Sequence, residues 1–161
     1  MEYLEYVQNT DWASDLQSSL YMYPLLLCIH ALGMAMVVGT MATLSIRVLG
    51  YARAVPVSIF DTMLNVAWLG VALNAGSGAI LFLINGVQLI QTWSFQLKLV
   101  LIVAGGVSVW LLWTRLRNEP GALLADRRAS GRARVLAALT ITFWFGAVIA
   151  GRLIAYTLPP L

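Results

Sequence analysis

Residues 24–50 read PLLLCIHALGMAMVVGTMATLSIRVLG. The run opens on Pro24, which suits the first turn of a helix because the backbone donor it lacks has no partner there anyway. From Leu25 to Leu44 it carries no formal charge. That is enough to cross a bilayer, which takes roughly 20 residues per helix. His30, the only histidine in the chain, lies in its first third. An ionisable side chain inside a span is a functional candidate by default.

The rest of the chain repeats this apolar habit. Of its 161 residues, 60% are hydrophobic and 11% are charged, against about 25% charged in soluble domains. Mean hydropathy is +0.82. The sequence predicts one all-α domain over residues 1–161, an integral membrane four-helix bundle. The spans are expected near 24–46, 63–84, 94–113 and 135–157. An amphipathic segment, 1–20, is expected to lie at the membrane interface, with Asn9 or Thr10 capping a helix that starts at Asp11 or Trp12. The N-terminus MEYLEYVQNTDW is acidic and has no basic leader, so span one is expected to do the targeting.

Charge sets the expected topology. The sequence pI is about 9.4, but the basic residues sit between apolar spans rather than on a nucleic-acid-binding face. Arg47 and Arg53 follow span one, and six arginines from Arg115 to Arg134 join spans three and four. The N-terminal segment, the polar loop expected over 85–93 and the final LPPL carry no Lys or Arg. Positive loops stay inside, so both termini are expected outside a bacterial plasma membrane. Anionic lipid is the expected partner, with no nucleic acid.

Topology also gives depth. His30 is about six residues into span one, Lys98 about four into span three, and Arg152 about five from the end of span four. At about 1.5 Å per residue, all three lie roughly 6–9 Å below the outer boundary. The predicted spans contain no Asp or Glu, so Lys98 and Arg152 lack an internal carboxylate. Three resolutions are open: snorkelling to lipid phosphate, pairing with Glu2, Glu5, Asp11 or Asp15 folded back over the bundle, or a bound anion such as haem propionates.

His30 is the candidate metal ligand, since a neutral imidazole binds haem iron or copper or relays protons. It can equally pack against a neighbouring polar group. With one histidine, a second axial ligand to haem b would be Lys98, a methionine, water or His30 of a second subunit. Met34 suits least, because it shares a helix with His30. Met34, Val37 and Met41 lie on the side of His30 in helical projection, with Met22 further round, a stripe that suits soft copper(I) or ordinary core filling. Arg152 and Tyr156, four apart, are spaced to stack. Small-residue ridges run along Ala31, Ala35 and Gly39 and along Ala147, Gly151 and Ala155, while Gly70, Gly76 and Gly78 permit close approach in span two. Asn74 reads as glue between helices. Cys28 is alone, which excludes an internal disulfide. No HExxH, phosphate-binding glycine loop or nucleophile triad is present.

IHALG with its downstream IRVLG, FQLK at 95–98 and GRLIAY at 151–156 resemble an uncharacterised bacterial family of small four-span membrane proteins. An acidic residue often stands two before the span-one arginine in that family, where this chain has Ser45. The layout is more distantly similar to the copper-resistance D-type membrane domain and to the small haem-binding protoporphyrinogen oxidase of bacteria. By position, that likeness implies roles for His30 and Lys98. Three functions follow as expectations. The first is a b-type haem or electron-transfer site near the outer face, with His30 as axial ligand and Lys98, Arg152, Tyr156 and Met34 around the cofactor. The second is a lipid-binding scaffold or accessory subunit, forming homo-oligomers or docking on a larger complex. The third is metal or small-solute transport.

Overall fold

The computed structural model describes residues 2–52, 58–118 and 129–157. Arg53, Pro56, Pro120, Gly121, Arg127, Arg128 and the final LPPL lie outside the described residues. The described chain is helical: α1 (Glu2–Gln8), α2 (Asp11–Ser18), α3 (Met22–Leu49), α4 (Ser58–Gln91), α5 (Trp93–Asn118) and α6 (Gly131–Thr157). Four of these, α3 to α6, are long and apolar enough to cross a membrane. The protein is a multi-pass integral membrane protein with an all-α, four-helix architecture. Both the N-terminal segment and the end of α6 lie at one end of the bundle, the termini end. The arginines at the close of α5 and the start of α6 mark the other, the arginine end.

Each span outruns its predicted bounds, and the ends show why. The α3 helix starts at Met22, whose N–H donates to the Ser19 hydroxyl at 3.1 Å. Pro24 therefore still falls in the first turn. The helix closes at Gly50, the only described residue with positive φ, at 100°. Gly50 N–H reaches Arg47 O at 2.9 Å and Tyr51 N–H reaches Ile46 O at 3.2 Å. This double closure needs a left-handed residue, which glycine supplies without a Cβ penalty.

The loop expected over 85–93 is the main departure. It is helix, broken only at Thr92. Thr92 serves both neighbours: its hydroxyl donates to Gln88 O at 2.8 Å, and its carbonyl accepts from Phe95 N at 3.1 Å and Gln96 N at 3.2 Å. The polar residues at 85–91 remain helical because α1 and α2 pack over this part of α4. Leu4 lies where a Cβ on Gly86 would meet it at 3.4 Å, and Gln17 Nε2 donates to Asn85 Oδ1 at 2.8 Å. Thr10 stands at the N-cap of α2 as expected, but its hydroxyl turns back to Val7 O instead of capping.

The spans pack in the order α4–α3–α6–α5. The α3 helix lies along α4 and crosses α6, and α6 lies along α5. Although one residue joins α4 to α5, these two helices meet only sparsely. Their main ring contact is Phe82 stacked on Phe95, with centroids 5.9 Å apart. At the arginine end the core is dense: Leu44, Val48, Leu112, Leu116, Ala133 and Ala137 are all buried together. A second knot joins Val37, Met41 and Ala67. A polar tie crosses α5 and α6, where the single Thr140 hydroxyl proton lies between two acceptors, Leu136 O at 2.8 Å and Ser108 Oγ at 3.1 Å.

Candidate functional site: a polar cluster at an intramembrane cavity

His30, Asn74, Ser77 and Lys98 meet within the termini half of the bundle. Glycine brings them together. A Cβ on Gly33 would lie 2.7 Å from Asn74 N and 2.8 Å from Gly70 O, so α3 and α4 cross backbone to backbone, as small residues allow in membranes. One turn away, the His30 ring lies over Gly78, where a Cβ would come within 3.1 Å of Cε1. The ridge expected on Ala31, Ala35 and Gly39 faces outward instead, and nothing lies within 4 Å of a Cβ on Gly39 or Gly76.

The hydrogen bonds assign the imidazole tautomer. Ser77 Oγ is 3.0 Å from His30 Nδ1. The serine has one proton, and its oxygen lies 2.6 Å from Leu73 O and 3.2 Å from Asn74 O. That proton goes to a carbonyl, so Ser77 accepts and Nδ1 carries the hydrogen. Nε2 then presents a lone pair. Lys98 Nζ donates to it across 3.3 Å. Asn74 Nδ2 donates to His30 O at 2.9 Å and lies 3.5 Å from Nε2. Asn74 is thus the interhelical glue that was expected.

Of the resolutions open to it from sequence, Lys98 takes neither snorkelling nor a carboxylate of the N-terminal segment. It turns into the bundle instead of snorkelling, and a neutral acceptor, Nε2, receives it. Gly151 makes room, since a Cβ there would sit 3.5 Å from Lys98 Cδ and Cε and 3.6 Å from Nζ. Among the described residues His30 is the only hydrogen-bond partner of Nζ. No acidic side chain of α1 or α2 reaches it.

Beside the cluster lies a cavity of about 120 Å³ lined by all four spans. Met34 and Val37 come from α3, Val71 and Asn74 from α4, Lys98 and Ile102 from α5, and Trp144 and Ala147 from α6. Its walls are nearly all hydrocarbon. The Trp144 ring presses on the bare face of Gly105, where a Cβ would meet Nε1 at 3.2 Å, and that N–H has no hydrogen-bond partner among the described residues.

The other sequence candidates lie elsewhere. Arg152 is on the exposed side of α6, and Tyr156 is 85% exposed. They do not stack. The ring–guanidinium pair four residues apart is Trp113 with Arg117, 5.1 Å from centroid to Cζ, at the arginine end. Met22 is exposed and Met41 is in the packed core, so the methionines form no continuous path with His30. Ser77 was missed by sequence reasoning. Its signal was a polar residue three after Asn74, which puts both on one face of an apolar helix.

His30 has the tautomer that a haem iron would need but not the space. An Nδ1–H held by a second group with Nε2 bare is the arrangement of a ligating histidine. However, Nε2 already faces two donors, and the adjoining space is smaller than the about 150 Å³ cavity that takes a single benzene. A haem does not fit beside His30 in this arrangement. Among the described residues no group of three or more His, Cys, Asp or Glu side chains stands together to hold a metal. Comparison with protein families, with curated proteins and with solved structures gives no match, so the family resemblance rests on its short motifs alone.

Proposed function

We propose that this protein is a membrane-embedded binding protein for a lipid-borne molecule that carries an oxygen acceptor. It resides in a bacterial plasma membrane with both termini outside. One observation carries the reading: Lys98 presents an ammonium with three donors at the edge of an apolar cavity, and among the described residues one acceptor faces it, His30 Nε2. A donor-rich site in a low-dielectric setting calls for an acceptor from outside the chain. Access is lateral. The Phe82–Phe95 stack and the α1–α2 segment cover the termini end near the α4–α5 junction, while α4 and α5 diverge along their length. A ligand dissolved in the bilayer reaches the cavity between them.

The test is native mass spectrometry of protein extracted gently from its own membrane, with an absorption spectrum of the same sample. An amphiphile should be retained by the native chain and lost in Lys98→Met. A Soret band that disappears in His30→Ala would overturn the reading in favour of haem ligation. Equal retention in Lys98→Met would overturn it in favour of non-specific detergent-like lipid.

A further inference from the structure

We infer that the ligand is a single-chain carboxylate amphiphile of the fatty-acid class, with its carboxylate on Lys98 and its first methylenes in the cavity. This inference rests on the proposed binding reading and names the ligand. No Asp or Glu occurs in the termini half of any span, and Lys98 is 3.3 Å from a neutral imidazole rather than from a counter-ion. A cation held away from water in an apolar bundle is strongly stabilised by an anion that hydrogen-bonds to it. A neutral carbonyl accepts a hydrogen bond but leaves that charge uncompensated.

The cavity is about 120 Å³ and almost wholly hydrocarbon. It suits one segment of acyl chain beside Met34, Val71 and Ile102. A phosphodiester with two chains needs more room and more donors than Lys98 and Asn74 provide. The cluster is also held rigidly. Ser77 fixes the imidazole, and the imidazole engages one ammonium N–H, leaving two for the two oxygens of a carboxylate.

Binding is measured on the purified, delipidated full chain in non-ionic detergent, by native mass spectrometry and calorimetry. Palmitate is the probe, and hexadecanol, with the same chain and no charge, is its control. Palmitate should bind at least about tenfold more tightly, the scale of one charge-assisted hydrogen bond. Lys98→Met should erase that preference. Val71→Phe adds a ring at a lining position that is 40% exposed at the α4–α5 opening. It should leave the melting temperature unchanged and exclude palmitate. Equal binding of palmitate and hexadecanol, or a preference that survives Lys98→Met, overturns the assignment. If decylubiquinone or a phospholipid binds in a Lys98-dependent way and palmitate does not, the carboxylate assignment falls while the binding reading stands. If no amphiphile binds, both fall.

Discussion

Replacing Gly33 by alanine should loosen the bundle far more than the same change two turns further along the helix. A Cβ on Gly33 would stand 2.7 Å from Asn74 N, 2.8 Å from Gly70 O and 3.1 Å from Asn74 Cα. All three are backbone atoms of α4, so no side chain can swing aside. Restoring ordinary contact at 3.4 Å moves α4 away by roughly 0.7 Å. The Asn74 Nδ2 to His30 O bond, 2.9 Å long, then passes roughly 3.5 Å and is lost as a hydrogen bond. Overpacking of this kind costs about 1–3 kcal/mol, and the broken bond adds about 0.5–1.5 kcal/mol. Alanine returns at most about 1 kcal/mol through helix propensity.

Gly39→Ala and Gly76→Ala are the matched controls, because nothing lies within 4 Å of a Cβ at either site. They share the helices and the propensity gain but not the contact. Unfolding of the purified protein by sodium dodecyl sulfate in mixed micelles gives the free energies. Gly33→Ala should fall below both controls by about 2–4 kcal/mol. The reciprocal Gly70→Ala should do likewise, since its Cβ would meet Gly33 O and Met36 Cβ at 2.8 Å. If Gly33→Ala matches Gly39→Ala within error, the backbone crossing is not what holds α3 to α4, and it does not position His30 either.

Two further outcomes are expected. In a double-mutant cycle, His30→Phe and Lys98→Met should each destabilise, by about 1–3 kcal/mol as a charged or polar group loses its partner, while the double variant recovers part of the loss; strict additivity in mixed-micelle unfolding would show that the 3.3 Å contact carries no coupling energy. For topology, a cysteine placed at exposed Ser14 or Asn118 on a Cys28→Ser background should separate the two ends of the bundle. A membrane-impermeant maleimide should label the Ser14 variant in intact cells and the Asn118 variant only after lysis, and the reverse pattern would invert the orientation.

Apolar run length made the four spans legible, because a helix that must satisfy its own backbone in lipid leaves a long uncharged stretch. Their ends were less legible. Asn85, Gln88 and Gln91 read as loop because polarity was the only local signal, whereas the docking of Leu4 and Gln17 that keeps them helical is a tertiary effect. The site divides in the same way. Counting residues from span ends gives depth, and depth alone placed His30, Lys98 and Arg152 together. Which way a side chain points depends on rotation about the helix axis, which shifts by about 100° per residue and is fixed here by the Gly33–Gly70 crossing. That rotation turns His30 toward Ser77, while the packing of α6 on α3 and α5 leaves Arg152 on the exposed face. Gly33 itself was illegible, since Gly39 in the same helix looks equivalent in sequence and meets nothing.

The pairing of Lys98 with His30 follows from the helix order. The α5 helix lies along α6 and hardly touches α3, so a side chain that joins α5 to α3 has to cross the bundle. Lysine is long enough, and its ammonium needs an acceptor wherever it stops. A carboxylate at position 30 would satisfy that need completely and close the site as a buried ion pair. Histidine satisfies it partly. With Nδ1–H committed to Ser77, Nε2 offers one lone pair and no charge. Among the described residues the lysine is thereby held by one neutral acceptor, with no carboxylate beside it. On the proposed reading such a cluster is costly as a stability device and well prepared as a receptor, because orienting the donor requires no rearrangement when an acceptor arrives between α4 and α5.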